Sequence, residues 1–213
     1  MTAALVALVS VAACGGSDGD TDRTGPSTTT TTSAPSTTST APAPGSDDDA
    51  PSSTTSSAPA GRFEGRTTAT SAPAPPGSTE VALLSEVRVA GQPGFDRVVF
   101  EFRDAELPGF DISYLDGPAH QDGSGEPVAI SGSALLEVRL APASGVDLRE
   151  GTFEQTYTGP GRVEGDTEVV TEVVRTGDFE ANLTWVIGLD RRVPYRVEVI
   201  ADPPRVVIDL ATG

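Results

Sequence analysis

A chain of 213 residues that carries 31 acidic side chains against 14 Arg, with no Lys, has a formal net charge of -17. That balance excludes nucleic acid as a partner, because affinity there rests on neutralising phosphates, and it excludes adhesion to anionic lipid by charge. The length holds one domain of ordinary size and a substantial remainder.

The remainder comes first. Ala3-Ala-Leu-Val-Ala-Leu-Val-Ser-Val11 has the length of a signal-peptide apolar region and is too short to span a bilayer as a helix. Val11-Ala-Ala-Cys14-Gly15 follows, a branched aliphatic and two small residues before the chain's single Cys. This run resembles the lipobox of bacterial lipoproteins, although Met1-Thr-Ala-Ala lacks a basic leader. The resemblance implies a diacylglyceryl group on the Cys14 sulfur and cleavage before it. Residues 1–14 are therefore expected to be a signal peptide, with the mature protein starting at Cys14 and held at the outer face of the membrane. Two or three acyl chains anchor stably where one is marginal.

Ser, Thr, Pro, Ala, Gly and Asp dominate from Gly15 onward, and Phe63 is the lone aromatic before residue 80. Such a segment cannot bury enough apolar surface to offset the entropy of ordering it. Residues 15–79 are read as a disordered tether, about 200 Å long when stretched and averaging nearer 45 Å as a coil. The Ser27–Ser33 run with the repeated Ala-Pro pairs suits a bare linker, or a stalk carrying O-linked sugars.

Val, Leu, Ile and Phe recur in short clusters from Val81, so the folded domain is set at residues 80–213, with 24 acidic residues against 11 Arg. Val98, Phe100 and Phe102 alternate with Arg97, Glu101 and Arg103; Leu136–Leu140 does the same. Leu183, Trp185, Ile187 and Leu189 share one face, which makes Trp185 a core residue. Tyr195–Val199 and Arg205–Leu210 complete the regular strands, while Val87–Val89, Phe110–Leu115 and Val169–Val174 are shorter or less regular. No stretch keeps a 3.6-residue period, and seven or more short strands predict an all-β sandwich or open barrel. The last two strands predict a hairpin whose paired residue numbers sum to about 405. That register sets Val199, Val197 and Tyr195 facing the core and Arg196 opposite Asp209 outside; a slip of one residue would bury the charges.

Catalytic and cofactor motifs are missing: no Gly-x-Gly-x-x-Gly, no P-loop, no His-Glu-x-x-His. His120, the only histidine, sits in a polar loop without a triad or a second His for zinc. Any carboxylate pair chosen for glycan hydrolysis would be arbitrary on so acidic a surface, and the Asn182-Leu-Thr184 sequon falls within a strand. The expectation is a protein that is not an enzyme and that has no metal and no cofactor.

Gly94-Phe-Asp-Arg-Val-Val-Phe-Glu-Phe102, Thr158-Gly-Pro-Gly161, Val173–Glu180, Leu183–Leu189 and Asp202-Pro-Pro-Arg-Val-Val-Ile-Asp-Leu210 together resemble the AMIN-like domain of actinobacterial lipoproteins. The closing run also resembles the AMIN domain found beside cell-wall amidases and in secretin complexes. The resemblance covers about Ser85 to Leu210. It implies a β-sandwich of two packed sheets and binding to peptidoglycan by a targeting module standing without an amidase domain. The main alternative is an accessory subunit that binds an envelope protein, for instance through an open sheet edge; a hydrolase with an unrecognised site is the third. A wall fragment offers sugar rings and peptide carboxylates, and an Arg fork suits the latter. Arg191 and Arg192, in the turn before Pro194, are the candidate ligand-binding residues, although neighbouring Asp also allows plain surface ion pairing.

Overall fold

The computed structural model describes residues 63–213, apart from residue 152. Cys14 and the expected signal peptide lie outside the described residues, as does most of the expected tether.

Among the described residues, fifteen strands follow in chain order. They are β1 (Thr70–Ala72), β2 (Ala82–Gln92), β3 (Phe95–Arg103), β4 (Gly109–Tyr114), β5 (Ala119–His120), β6 (Pro127–Val128), β7 (Ala134–Ala141) and β8 (Ala143–Ser144). After these come β9 (Val146–Asp147), a 3-10 turn at Arg149–Gly151, β10 (Glu154–Gln155), β11 (Arg162–Glu164), β12 (Val170–Phe179), β13 (Asn182–Leu189), β14 (Tyr195–Ala201) and β15 (Pro204–Ala211). One sheet has six strands in the order β1-β4-β7-β13-β12-β11, and the other has five in the order β14-β15-β3-β2-β8. Each predicted strand is present. The fold is the expected all-β sandwich of two packed sheets.

Alternation builds the core. Val98, Phe100 and Phe102 of β3 and Val206, Ile208 and Leu210 of β15 meet Leu136, Val138 and Leu140 of β7 and the Leu183–Leu189 face of β13. Trp185 is fully buried where the sheets meet, as the alternation predicts. Phe100 packs edge-on against it at 6.0 Å from one sheet and Tyr157 at 5.5 Å from the loop before β11. Such edge contacts suit the ring quadrupoles.

The β14–β15 hairpin adopts the expected register: Tyr195 pairs with Leu210, Arg196 with Asp209 and Val199 with Val206. The inward set is less complete than expected. Tyr195 is buried, Val197 half-buried and Val199 exposed, because the far end of β14 runs past the edge of the core.

The outer face of the six-stranded sheet is not left to water. Residues 115–133, including the β5–β6 ribbon, lie across it, so that Val174, Thr184 and Val186 are buried. The Asp122 N–H donates to the Thr176 carbonyl at 2.9 Å, and the Thr171 hydroxyl donates to the Ser131 carbonyl at 2.7 Å. The buried Glu172 carboxylate accepts from the Ser131 N–H and from Arg162. Burial pushes its carboxyl up, but these donors outweigh it and leave the pKa lowered. A Cβ on Gly188 would stand 2.1 Å from the Ser131 carbonyl oxygen, so only glycine lets the segment lie this close. His120 is on this segment and exposed.

One boundary differs from the sequence reading. Residues 63–79, assigned by composition to the tether, are part of the packed structure. Thr70–Ala72 pairs with Phe110–Ile112 as an edge strand, and Phe63 packs on Phe95 with ring centroids 6.2 Å apart.

Candidate functional site

The site is built on the free edge of β14. In an antiparallel ladder, alternate residues turn both backbone groups outward. Tyr195 is such a residue, and Arg66 occupies it: the Arg66 N–H donates to the Tyr195 carbonyl at 2.9 Å, and the Tyr195 N–H to the Arg66 carbonyl at 2.8 Å. The Tyr195 hydroxyl lies 2.8 Å from the Thr68 carbonyl oxygen and 2.9 Å from that of Ile112. Burial pushes its phenol up, so the hydroxyl stays protonated and can donate. The segment from Phe63 to Thr70 thereby becomes one wall of a groove of about 820 Å³, lined by Phe63, Arg66, Thr70, Phe110, Tyr195 and Arg196 among others.

Arg196 is held from below. Asp209, 2 % exposed at its side chain, accepts from Arg196 at 2.8 and 3.0 Å and from Arg97 at 2.7 and 3.0 Å. Two guanidinium groups thus share one buried carboxylate, and Glu198 adds a second negative charge near Arg97. Arg196 stands 5.0 Å from the Phe63 ring centroid and 5.3 Å from that of Phe95, and Arg97 5.2 Å from Phe95. Cations and rings therefore alternate along the outer face of the sheet, each limiting the rotamers of the next. Arg66 adds a second cation to the groove, and it has no ion pair among the described residues. Glu64 is the acidic residue of the lining.

The two Arg residues singled out from sequence sit beside this groove and turn to different partners. Arg191 donates to the Thr212 carbonyl and stands 3.7 Å from Glu168 and 4.0 Å from Asp190. Arg192 donates to the Thr67 carbonyl at 3.0 Å and lies 4.4 Å over the Tyr114 ring. Tyr114 in turn donates to the Val193 carbonyl at 2.7 Å and accepts from its N–H at 3.1 Å. Arg192 fastens the groove wall, whereas Arg191 fastens the chain's end. Sequence reasoning missed Phe63 and Arg66, which it placed in the tether. The available signal was a lone aromatic followed closely by Arg in a segment otherwise poor in both.

The chain is thus an all-β sandwich with an Arg-bearing, aromatic-walled cleft at one sheet edge. Residues 82–212 match the family model of the AMIN-like domain, and the chain belongs to that family. The family is one of cell-wall-related binding domains. No curated protein and no solved structure matches the chain.

Proposed function

We propose that this protein is a cell-envelope lipoprotein, lipidated on Cys14, whose AMIN-like domain binds peptidoglycan without cleaving it. The observation that carries the reading is the β14 groove. It sets Arg66, which has no ion pair among the described residues, and the braced Arg196 beside Phe63 and Phe110. Guanidinium groups suit the carboxylates of wall peptides, and the ring faces suit the apolar faces of sugars. Arg66, Arg97 and Arg196 gather here in a domain where acidic residues outnumber Arg, and although Glu64 shares the lining, this face suits an anionic polymer better than the rest of the surface. The lipobox-like run at Val11–Cys14 supports the anchor and an extracytoplasmic location.

Co-sedimentation with purified sacculi tests the binding. The wild-type protein is expected to sediment, and Arg66→Ala to weaken binding about tenfold or more, the loss of one charge-assisted hydrogen bond. A wild-type protein that stays in solution would overturn the reading. The anchor is tested by Cys14→Ala, which should abolish labelling by a fatty-acid probe and cleavage by the lipoprotein peptidase.

A further inference from the structure

A second concavity, of about 600 Å³, lies at the other edge of the five-stranded sheet, where β8, the 3-10 turn and the tip of the β12–β13 hairpin converge. Its walls carry three of the domain's large apolar side chains in full view of solvent: Leu148 at 65 %, Phe153 at 78 % and Phe179 at 68 % exposure. Val81, Leu83 and Val146 form its floor and sides. Three clustered side chains of this size are not the scattered exposed apolar residues of an ordinary surface; such a patch marks an interaction site.

The charges around it choose the partner. Asp147, Asp178 and Glu180 line the groove together with one cation, Arg149. Arg149 is bound to Asp147 at 2.7 Å and stands 3.5 Å from Asp104. Asp178 accepts from the Gly145 N–H, and Glu180 has no ion pair among the described residues. Arg103 also reaches Asp147, at 3.3 Å, so it is Asp178 and Glu180 that give the rim its negative charge, in a domain with 24 acidic residues against 11 Arg. A second copy of this chain would bring like charge to the same rim, and an anionic bilayer would be repelled in the same way.

The hairpin tip that presents Phe179 and Glu180 is fixed in shape. Glu180 and Ala181 both hold positive φ, 50° and 56°, in a turn that favours Asn-Gly. The Ala181 carbonyl accepts from the Ala143 N–H at 2.8 Å, which ties the tip to β8. The Phe179 side of the groove is thus pre-formed, and an occupant need not order it.

We propose that this groove docks a basic amphipathic segment of a second envelope protein, its apolar side chains seated among Leu148, Phe153 and Phe179 and its flanking Lys or Arg on Glu180 and Asp178. The domain then has two separate contacts, one for wall polymer at β14 and one for protein at β8. The second does not depend on the first.

The test uses the full chain and fluorescent 18-residue helical probe peptides: a Leu/Lys amphipath, its Leu/Glu counterpart and a Ser/Lys control. The Leu/Lys peptide is expected to bind. Binding should weaken at least about tenfold in Phe153→Ser plus Phe179→Ser, as for an interface anchor, and several-fold in Glu180→Gln or on raising the salt. Both Phe are exposed, so the double variant should melt like the wild type. Equal binding of the Leu/Glu or Ser/Lys peptide, or binding that survives the double substitution, would overturn the proposal. So would a concentration-dependent dimer, or adhesion to phosphatidylcholine vesicles, that the double substitution abolishes. Sacculus sedimentation of the double variant should be unchanged, which separates this result from that at the β14 groove.

Discussion

The two grooves lie at the two edges of one five-stranded sheet, yet they have opposite characters. At β14 the edge is overlaid by the chain's own polar segment, Phe63–Thr70, and the result is a cleft with cations and ring faces. At β8 the edge is flanked by a hairpin tip and a short turn whose apolar side chains stay outside the core. An edge strand has to be protected from indiscriminate pairing. The segment used for the protection also decides what the edge recognises. The coverings at the two ends differ.

The most damaging change should act on both grooves together. Trp185→Ala empties the position against which Phe100 and Tyr157 pack and should cost about 3–5 kcal/mol. Denaturation in urea is expected to show it, with both binding activities failing as the protein unfolds. A midpoint close to wild type would show that the two ends are not braced through this core.

Removal of residues before Glu80 should separate the grooves. It deletes β1, the Arg66–Tyr195 pair and the Thr68 partner of the Tyr195 hydroxyl. At about 1 kcal/mol for each hydrogen bond lost, stability should fall by a few kcal/mol. Unfolding should remain cooperative because the core cluster is untouched. Circular dichroism melts against a chain starting at Phe63 would measure the difference. Wall binding should vanish while the Leu/Lys probe still binds. Equal melting temperatures would mean that the segment adds nothing to the fold.

A smaller and cleaner effect is expected from Arg66→Ala: binding to sacculi about tenfold weaker with little change in melting temperature. Loss of the Leu/Lys probe in the same variant would show the grooves to be coupled.

The smallest effect concerns pH at the apolar groove. The Arg149 guanidinium beside Asp147, with the Arg149 N–H, holds the Asp147 carboxyl down at about 2, below its ordinary 3.8. A carboxyl with a lowered folded-state pKa stabilises the fold above its unfolded value and loses that contribution as pH falls toward the folded value. Asp147→Asn should therefore be less stable than wild type at pH 6, and the gap should close between about pH 4 and 2. Urea midpoints across that range would measure it, and a gap that is constant with pH would deny the ion pair any part.

Much of the sandwich was legible in the sequence because period-two alternation is a local signal. The Arg196–Asp209 register could be read for the same reason, since a slip would put charge in the core. The site was less legible. Arg191 and Arg192 stand out as a basic pair, but whether they face a ligand depends on Thr67, Tyr114 and Thr212, which are remote in sequence. Composition placed Phe63–Ala72 in the tether because Gly, Thr, Ser, Ala and Pro carry little apolar area. What orders the segment is backbone pairing to edges that already exist, and composition does not register that. Leu148, Phe153 and Phe179 belong to no periodic run, so alternation gave no clue to their exposure.

The segment from Phe63 to Ala72 touches both sheets, the first at Tyr195 and the second along Phe110–Ile112. A pull on the chain ahead of Phe63 therefore meets a series of fastenings. The stack of Phe63 on Arg196 gives first, then the single bridge at Arg66, then the three residue pairs of β1. Each is small, and they lie one after another along the chain. Only when the last has opened does the chain pull directly on β2. A domain fastened in this way yields slack under tension before it yields structure, and the cleft at β14 is the first part to feel the pull.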